Sequence, residues 1–167
     1  NSLCHYVGKR TYDYNSTSRD SWIVSLFTFG EGYHNYHHKF PSDFRNGIRW
    51  YAFDPSKWLI SLLSFFKITS KLIRTKDYLI YRSKIEVVRQ RIADKIKKSN
   101  SNMITIQNNV DALLISSKDI LLKWQKTELN QNKNSLKKDD LLEGYKNSIQ
   151  KIFNDLKIIS SEISIVN

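Results

Sequence analysis

Cysteine is nearly missing from this chain of 167 residues: Cys4 stands alone, so no intrachain disulfide can form. The fold therefore does not depend on oxidation, which suits a reducing compartment, and Cys4 itself reads as a small buried side chain. Long apolar runs are also missing. The best, Trp58 to Phe66, is nine residues and is closed by Lys67, and Trp22 to Phe29 is shorter still. A spanning helix needs about 20, so no segment of this sequence crosses a bilayer alone. There is no basic-then-apolar leader, and the first residue is Asn rather than Met, which leads us to expect a fragment. Carboxylates are scarce, 16 against 27 Lys and Arg, leaving a formal charge of +11. That excess points to an anionic partner, whether nucleic acid, phospholipid headgroups or a phosphorylated cofactor. With 40% hydrophobic and 26% charged residues, the chain is neither wholly disordered nor polytopic as it stands.

What is present is unevenly divided. Residues 1–85 hold 18 of the 21 aromatics, all four histidines, both prolines and four of the five glycines, with 13 basic and 6 acidic residues. Residues 86–167 are mostly Lys, Asn, Ser, Ile and Leu, with 14 basic and 10 acidic. We therefore expect two parts, a chemically specialised 1–85 and an amphipathic helical extension, 86–167.

The expected architecture is all-α. Residues 1–20 read as loop with a helix end at 1–6. A helix from Asp20 or Ser21, with Asp20 as N-cap, is expected to run to about His38 and to stop before Pro41. Gly30 and Gly32 lie inside it, which implies close packing or a local distortion. Residues 42–53 read as loop, Asp54-Pro55 as an N-cap and first helical residue opening a helix over 55–72, and 75–98 as a further helix. Trp58, Leu59, Leu62, Leu63 and Phe66 beside Lys57, Lys67, Lys71 and Arg74 suit either a membrane interface or the domain's own core. Beyond a break at 99–102, Ile106, Val110, Leu113, Ile120 and Trp124 keep a heptad rhythm with Ser117 at one seam position. After a linker at 129–137, Leu142, Tyr145, Ile149, Ile152, Leu156 and Ile159 alternate steps of three and four, the seam of a helical hairpin or short coiled coil.

Three histidines occupy one short run, Gly30-Glu31-Gly32-Tyr33-His34-Asn35-Tyr36-His37-His38. Helical positions i, i+3 and i+4 share a face, so His34, His37 and His38 can address one spot, and neutral imidazole is the commonest ligand for transition metals. His37 and His38 project about 100° apart and can also serve two metals. Asn1 and His5, at i and i+4, present a second helix edge. Hydrogen-bonded structural histidines and a structural zinc site remain alternatives, although zinc usually closes with four ligands and often uses cysteine. No Ser-His-acid set or HExxH motif supports hydrolysis.

The same run, continued through Lys39-Phe40-Pro41, resembles the third histidine box of the membrane-bound acyl-CoA (delta-9 type) fatty acid desaturases, GEG-aromatic-HN-aromatic-HH-x-FP. Asn1-Ser2-Leu3-Cys4-His5 is similar to their NSxxH element. Gly8-Lys9-Arg10-Thr11-Tyr12-Asp13 is similar to their GxRxYD segment, with Lys9 and Thr11 where Asn and Pro are usual. Arg45-Asn46-Gly47-Ile48-Arg49-Trp50-Tyr51 and Asp54-Pro55-Ser56-Lys57-Trp58 resemble the stretch after the box. The resemblance covers residues 1–85; residues 100–167 match nothing recognised.

The resemblance implies the C-terminal part of a cytosolic di-iron cap domain on a four-helix transmembrane core, with a helical extension. His5, His34, His37 and His38 would be iron ligands and Asn1 a ligand through water. The HxxxxH and HxxHH boxes and the spanning helices lie upstream in the family and are absent here, so this chain alone should be inactive. The parent would be an integral membrane enzyme with this part on the cytosolic face. It would place a cis double bond in an acyl-CoA or acyl-lipid chain, using O2 and electrons from a b-type cytochrome or a ferredoxin. Glu31, Asn35 and Asp13 are candidates to orient ligands, with a solvated carboxylate the alternative for Glu31 and a turn cap for Asp13. Lys9, Arg10, Arg45 and Arg49 would meet headgroups, coenzyme A phosphates or an acidic donor, or stand as solvated surface. Tyr6, Tyr33, Trp50 and Trp58 read as core or interface anchors. Rival readings are a histidine-box lipid hydroxylase and a basic helical module for zinc with nucleic acid or membrane. No recognised nucleic-acid motif is present and the tail's charges alternate in sign, so nucleic acid is not expected as a partner.

Overall fold

The computed structural model describes residues 2–99, 103–130 and 135–163, with the side chain of Ser135 excepted. Its regular elements are all helices: α1 (Leu3–Tyr6), α2 (Trp22–Phe27), α3 (His34–Lys39), α4 (Pro55–Phe65), α5 (Asp77–Lys98), α6 (Ile104–Leu129) and α7 (Ser135–Glu162). Among the described residues the β pairing consists of two isolated bridges, Lys9 with Asp20 and Asp20 with Tyr33. No described helix is long and apolar enough to cross a membrane. The chain forms two compact units, Asn1–Lys76 and Asp77–Asn167.

The first unit is short helices joined by ordered loops. The helix expected over 20–38 is two helices separated by a turn, for a stereochemical reason. Phe29 and Gly30 take positive φ values of 52° and 100°, which end α2 and reverse the chain. Gly32 then lies on the start of α2, where a Cβ would stand 2.2 Å from Ser25 N and 2.6 Å from Ser21 O. The cap of α2 is Ser21, whose hydroxyl accepts from Val24 N. Asp20 faces inward instead and accepts from Tyr36 N at 3.0 Å. In α4, Asp54 caps as its sequence suggests, its carboxylate accepting from Lys57 N at 3.0 Å. That helix ends at Phe65 rather than near 72, because Lys67 and Lys71 both adopt left-handed backbone.

The second unit is a three-helix bundle. α6 and α7 pair along their heptad positions and α5 joins them, so that Ile85, Val88 and Ile92 meet Val110 and Trp124 and also Ile149, Ile152 and Leu156. Each such fully buried aliphatic side chain contributes about 1.5–3 kcal/mol. Tyr81 fixes the directions: its ring packs on Trp124 near the end of α6, and its hydroxyl donates to Gln150 on α7. Lys95, further along α5, reaches Ser160 further along α7. α5 and α7 therefore run parallel and α6 antiparallel to both. The break at 99–102 and the linker at 129–137 fall partly outside the described residues.

Candidate metal centre

Two helices carry the histidines, and two loops hold those helices. His5 lies on α1, which is tied to the following loop because Arg19 N donates to Cys4 O at 2.8 Å and Arg19 Nε to His5 O at 3.1 Å. The His5 ring is oriented by Thr17, whose Oγ1 is 2.9 Å from Nδ1. This leaves Nε2 as the nitrogen without that bond. Cys4 beside it is buried, and burial pushes its thiol pKa up, as expected of a packing residue.

α3 begins at His34, directly after the turn that Gly32 allows. Its place is set by Asn35, fully buried between two histidine-bearing positions. Asn35 Oδ1 accepts from the N–H groups of Thr11, Tyr12 and Asp13 at 2.7–3.0 Å, and Nδ2 donates to Asp13 O and Ser18 O at 3.0 Å each. The opposite end is held by Tyr36, whose hydroxyl donates to Asp43 at 2.6 Å.

In this frame three imidazoles meet. His34 Nε2 and His38 Nε2 are 3.0 Å apart, and the His5 ring lies 5.0 Å from that of His34 and 6.4 Å from that of His38. His37 approaches His38 at 6.0 Å. His34 is buried and its Nδ1 has no hydrogen-bond partner. Burial first, and then the neighbouring His38 and His5, push its pKa down and favour neutral imidazole. A separation of 3.0 Å serves an N–H···N hydrogen bond between rings. It is also the spacing of two adjacent nitrogens bound to one metal at about 2.1 Å. The donor set thus fits a transition metal in part. Among the described residues, however, no three His, Cys, Asp or Glu side chains form a complete group able to hold an ion. Asn1 lies outside the described residues.

The other candidates take different places. Asn35 organises the 11–18 loop rather than touching an imidazole. Asp13 caps a turn, accepting from Asn15 N and Ser16 N, and pairs with Lys39 at 3.5 Å. Glu31 is exposed and accepts from Asn46 Nδ2 at 3.4 Å. Arg45 forks onto Asp43 with bonds of 3.0 and 2.8 Å, Arg10 donates to Tyr14 O and Arg49 to the Tyr51 hydroxyl. Lys9 is exposed, while Tyr6 and Trp50 are 80% and 85% exposed and so are not core anchors in this chain. Lys57 is buried rather than lipid-facing, with Nζ donating to the carbonyls of Gly47, Arg49 and Ala52.

Sequence reasoning missed Thr17, which orients His5, and the anchoring roles of Asp43 and Lys57. Thr17 carried no signal, because its partner is twelve residues away across a loop. Asp54 was legible as a helix cap, yet its other oxygen also accepts from Asn46 N and Gly47 N.

The family model for fatty acid desaturase matches residues 1–68. Acyl-CoA desaturase 1 of Saccharomyces cerevisiae is 43% identical over 100 residues, 60% of this chain and 20% of that protein. Delta-9 acyl-lipid desaturase 1 of Arabidopsis thaliana is 43% identical over 70 residues, 42% of this chain and 23% of that protein. The sn-2 palmitoyl-lipid 9-desaturase of Nostoc sp. is 38% identical over 73 residues, 44% of this chain and 26% of that protein. The chain spans about a fifth to a quarter of the length of these curated relatives. No solved structure matches it.

Proposed function

We propose, from the match of residues 1–68 to the family model for fatty acid desaturase, that the chain is part of a membrane enzyme placing a cis double bond, at the delta-9 position, in a fatty acyl chain. The substrate is an acyl-CoA or an acyl-lipid, in keeping with the names of the relatives. Two hydrogens leave adjacent methylenes, and O2, with two electrons from a b-type cytochrome or ferredoxin and two protons from solvent, becomes two waters. A di-iron centre, completed by ligands outside this chain, supplies the O2 activation that unactivated C–H bonds require.

The observation that carries this reading is the approach of His34 Nε2 to His38 Nε2 at 3.0 Å with the His5 ring against both. His5, His34, His37 and His38 are assigned to hold iron, and Asn1 to do so through a water. Thr17 holds His5 through Nδ1, which leaves Nε2 as the nitrogen available to a metal, and the burial of His34 favours its neutral imidazole. Asn35 and Tyr36 hold α3 from behind. This part of the chain is assigned to the cytosolic face of the membrane.

The test is substitution in the parent enzyme. His34→Ala and His37→Ala are each expected to abolish fatty-acid unsaturation and to lower bound iron while the protein stays in the membrane. Full unsaturation with unchanged iron content in both variants would overturn the assignment.

A further inference from the structure

The three-helix bundle is packed unequally. α7 is embraced by both partners, whereas α5 and α6 leave a solvent-open groove of about 400 Å³ between them. Its walls run from Tyr78 to Arg89 on α5 and from Leu114 to Gln125 on α6, each about 16 Å long or three helical turns.

Three features say what fits it. First, the walls keep the coiled-coil rhythm. Tyr78, Arg82, Ile85 and Arg89 advance by four, three and four, and so do Leu114, Lys118, Leu121 and Gln125. Such ridges present holes for the knobs of another helix. Second, α6 carries a stripe beside the groove at seven-residue steps, Ile115, Leu122 and Leu129, exposed by 72%, 48% and 69%. That stripe lies outside the bundle's own seam. Third, the charged lining is cationic. Arg82, Arg89 and Lys118 face one carboxylate, Glu86, which already accepts two bonds from Arg89 at 2.6 and 2.9 Å and one from Gln90 at 3.0 Å.

We propose that the groove between α5 and α6 is a docking site for an acidic amphipathic helix of a partner protein, which would complete a four-helix bundle. Its apolar face would enter between Ile85 and Leu121, and its flanking carboxylates would meet Arg82 and Lys118. A second copy suits the site less well, since α6 laid antiparallel on itself across Leu122 sets Lys118 against Lys126. Residues 78–125 all lie beyond the 1–68 family match, so this site does not rest on the desaturase reading and survives its failure.

The test uses the 167-residue chain and two labelled synthetic helices of four heptads with the same Leu and Ile face, one flanked by Glu and its twin by Lys. The Glu helix is expected to bind about tenfold more tightly than the Lys twin. Arg82→Glu with Lys118→Glu, both at exposed positions, should reverse that preference, and Leu122→Glu should abolish binding of either. Equal affinities for the two helices, or a preference unchanged in the double variant, would overturn the proposal. So would displacement of the Glu helix by palmitate at lower concentration, or self-association of the chain that Leu122→Glu removes.

Discussion

Asn35 shows how much of this fold can rest on one amide. Three loop N–H groups converge on its oxygen and two loop carbonyls on its nitrogen, so replacing it removes the partner of five backbone groups that are wholly or partly buried. Asn35→Ala is expected to cost about 2–4 kcal/mol and to abolish amide-exchange protection at Thr11, Tyr12 and Asp13; retained protection would refute that account. Two carboxylates of the first unit, buried Asp43 and partly buried Asp20, behave oppositely with pH. Burial opposes ionisation of Asp43, but the Arg45 fork, the Tyr36 hydroxyl and the Thr75 and Arg45 N–H groups outweigh it and hold the carboxyl well below the usual range. Its contribution is therefore complete above the unfolded value near 4 and is lost only as the pH falls below it. Asp20 is pushed by burial up to about 6. Its folded form binds a proton more tightly than the unfolded chain, so stability is lost as pH rises from about 4 through about 6, by on the order of 2 kcal/mol. Denaturant curves at pH 5 and 7 should show this slope in the native chain and its loss in Asp20→Asn, where an oxygen still accepts from Tyr36 N.

At the scale of elements, glycines separate the two kinds of helix in this molecule. Gly32→Ala would drive a Cβ into α2 backbone at 2.2 Å, and is expected to shift α3 and to lower the thermal midpoint of the first unit steeply. Gly144, in α7, has nothing within 4 Å of an added Cβ. Gly144→Ala should therefore stabilise the bundle by about 0.5–1 kcal/mol, read as a raised midpoint in calorimetry. The same contrast explains what was legible in advance. The seam of α6 and α7 could be named residue by residue, because burial there follows a period that propensity and pattern share. The part played by α5 was less visible, since its apolar residues alternate with charges on a weakly amphipathic helix. The histidine turn was legible in composition but not in shape. A GEG run inside a helical pattern signals either close packing or distortion, and the structure has both. The buried polar anchors Asp43 and Lys57 carried no local sign, since their partners come from loops.

For the whole molecule, the division between units decides where the chain can be cut. A truncation after residue 99 keeps α5 but removes both of its partners, leaving Ile85, Val88 and Ile92 in water. It is expected to aggregate, whereas a truncation after Lys76 follows the boundary of the compact units. Light scattering of the two shortened chains distinguishes them, and equal solubility would show that α5 does not need the bundle. Tolerance to length change has its own map. Irregular loops ordinarily accept insertions, because their ends stay close whatever lies between. The 11–18 loop is an exception: the Asn35 amide grips it at residues 11–13 and again at 18, and Thr17 within that interval sets the His5 ring. One added residue there would turn Thr17 away while every helix stayed intact. This stretch of coil therefore acts as a gauge block, its residue count setting the spacing between two histidine-bearing helices.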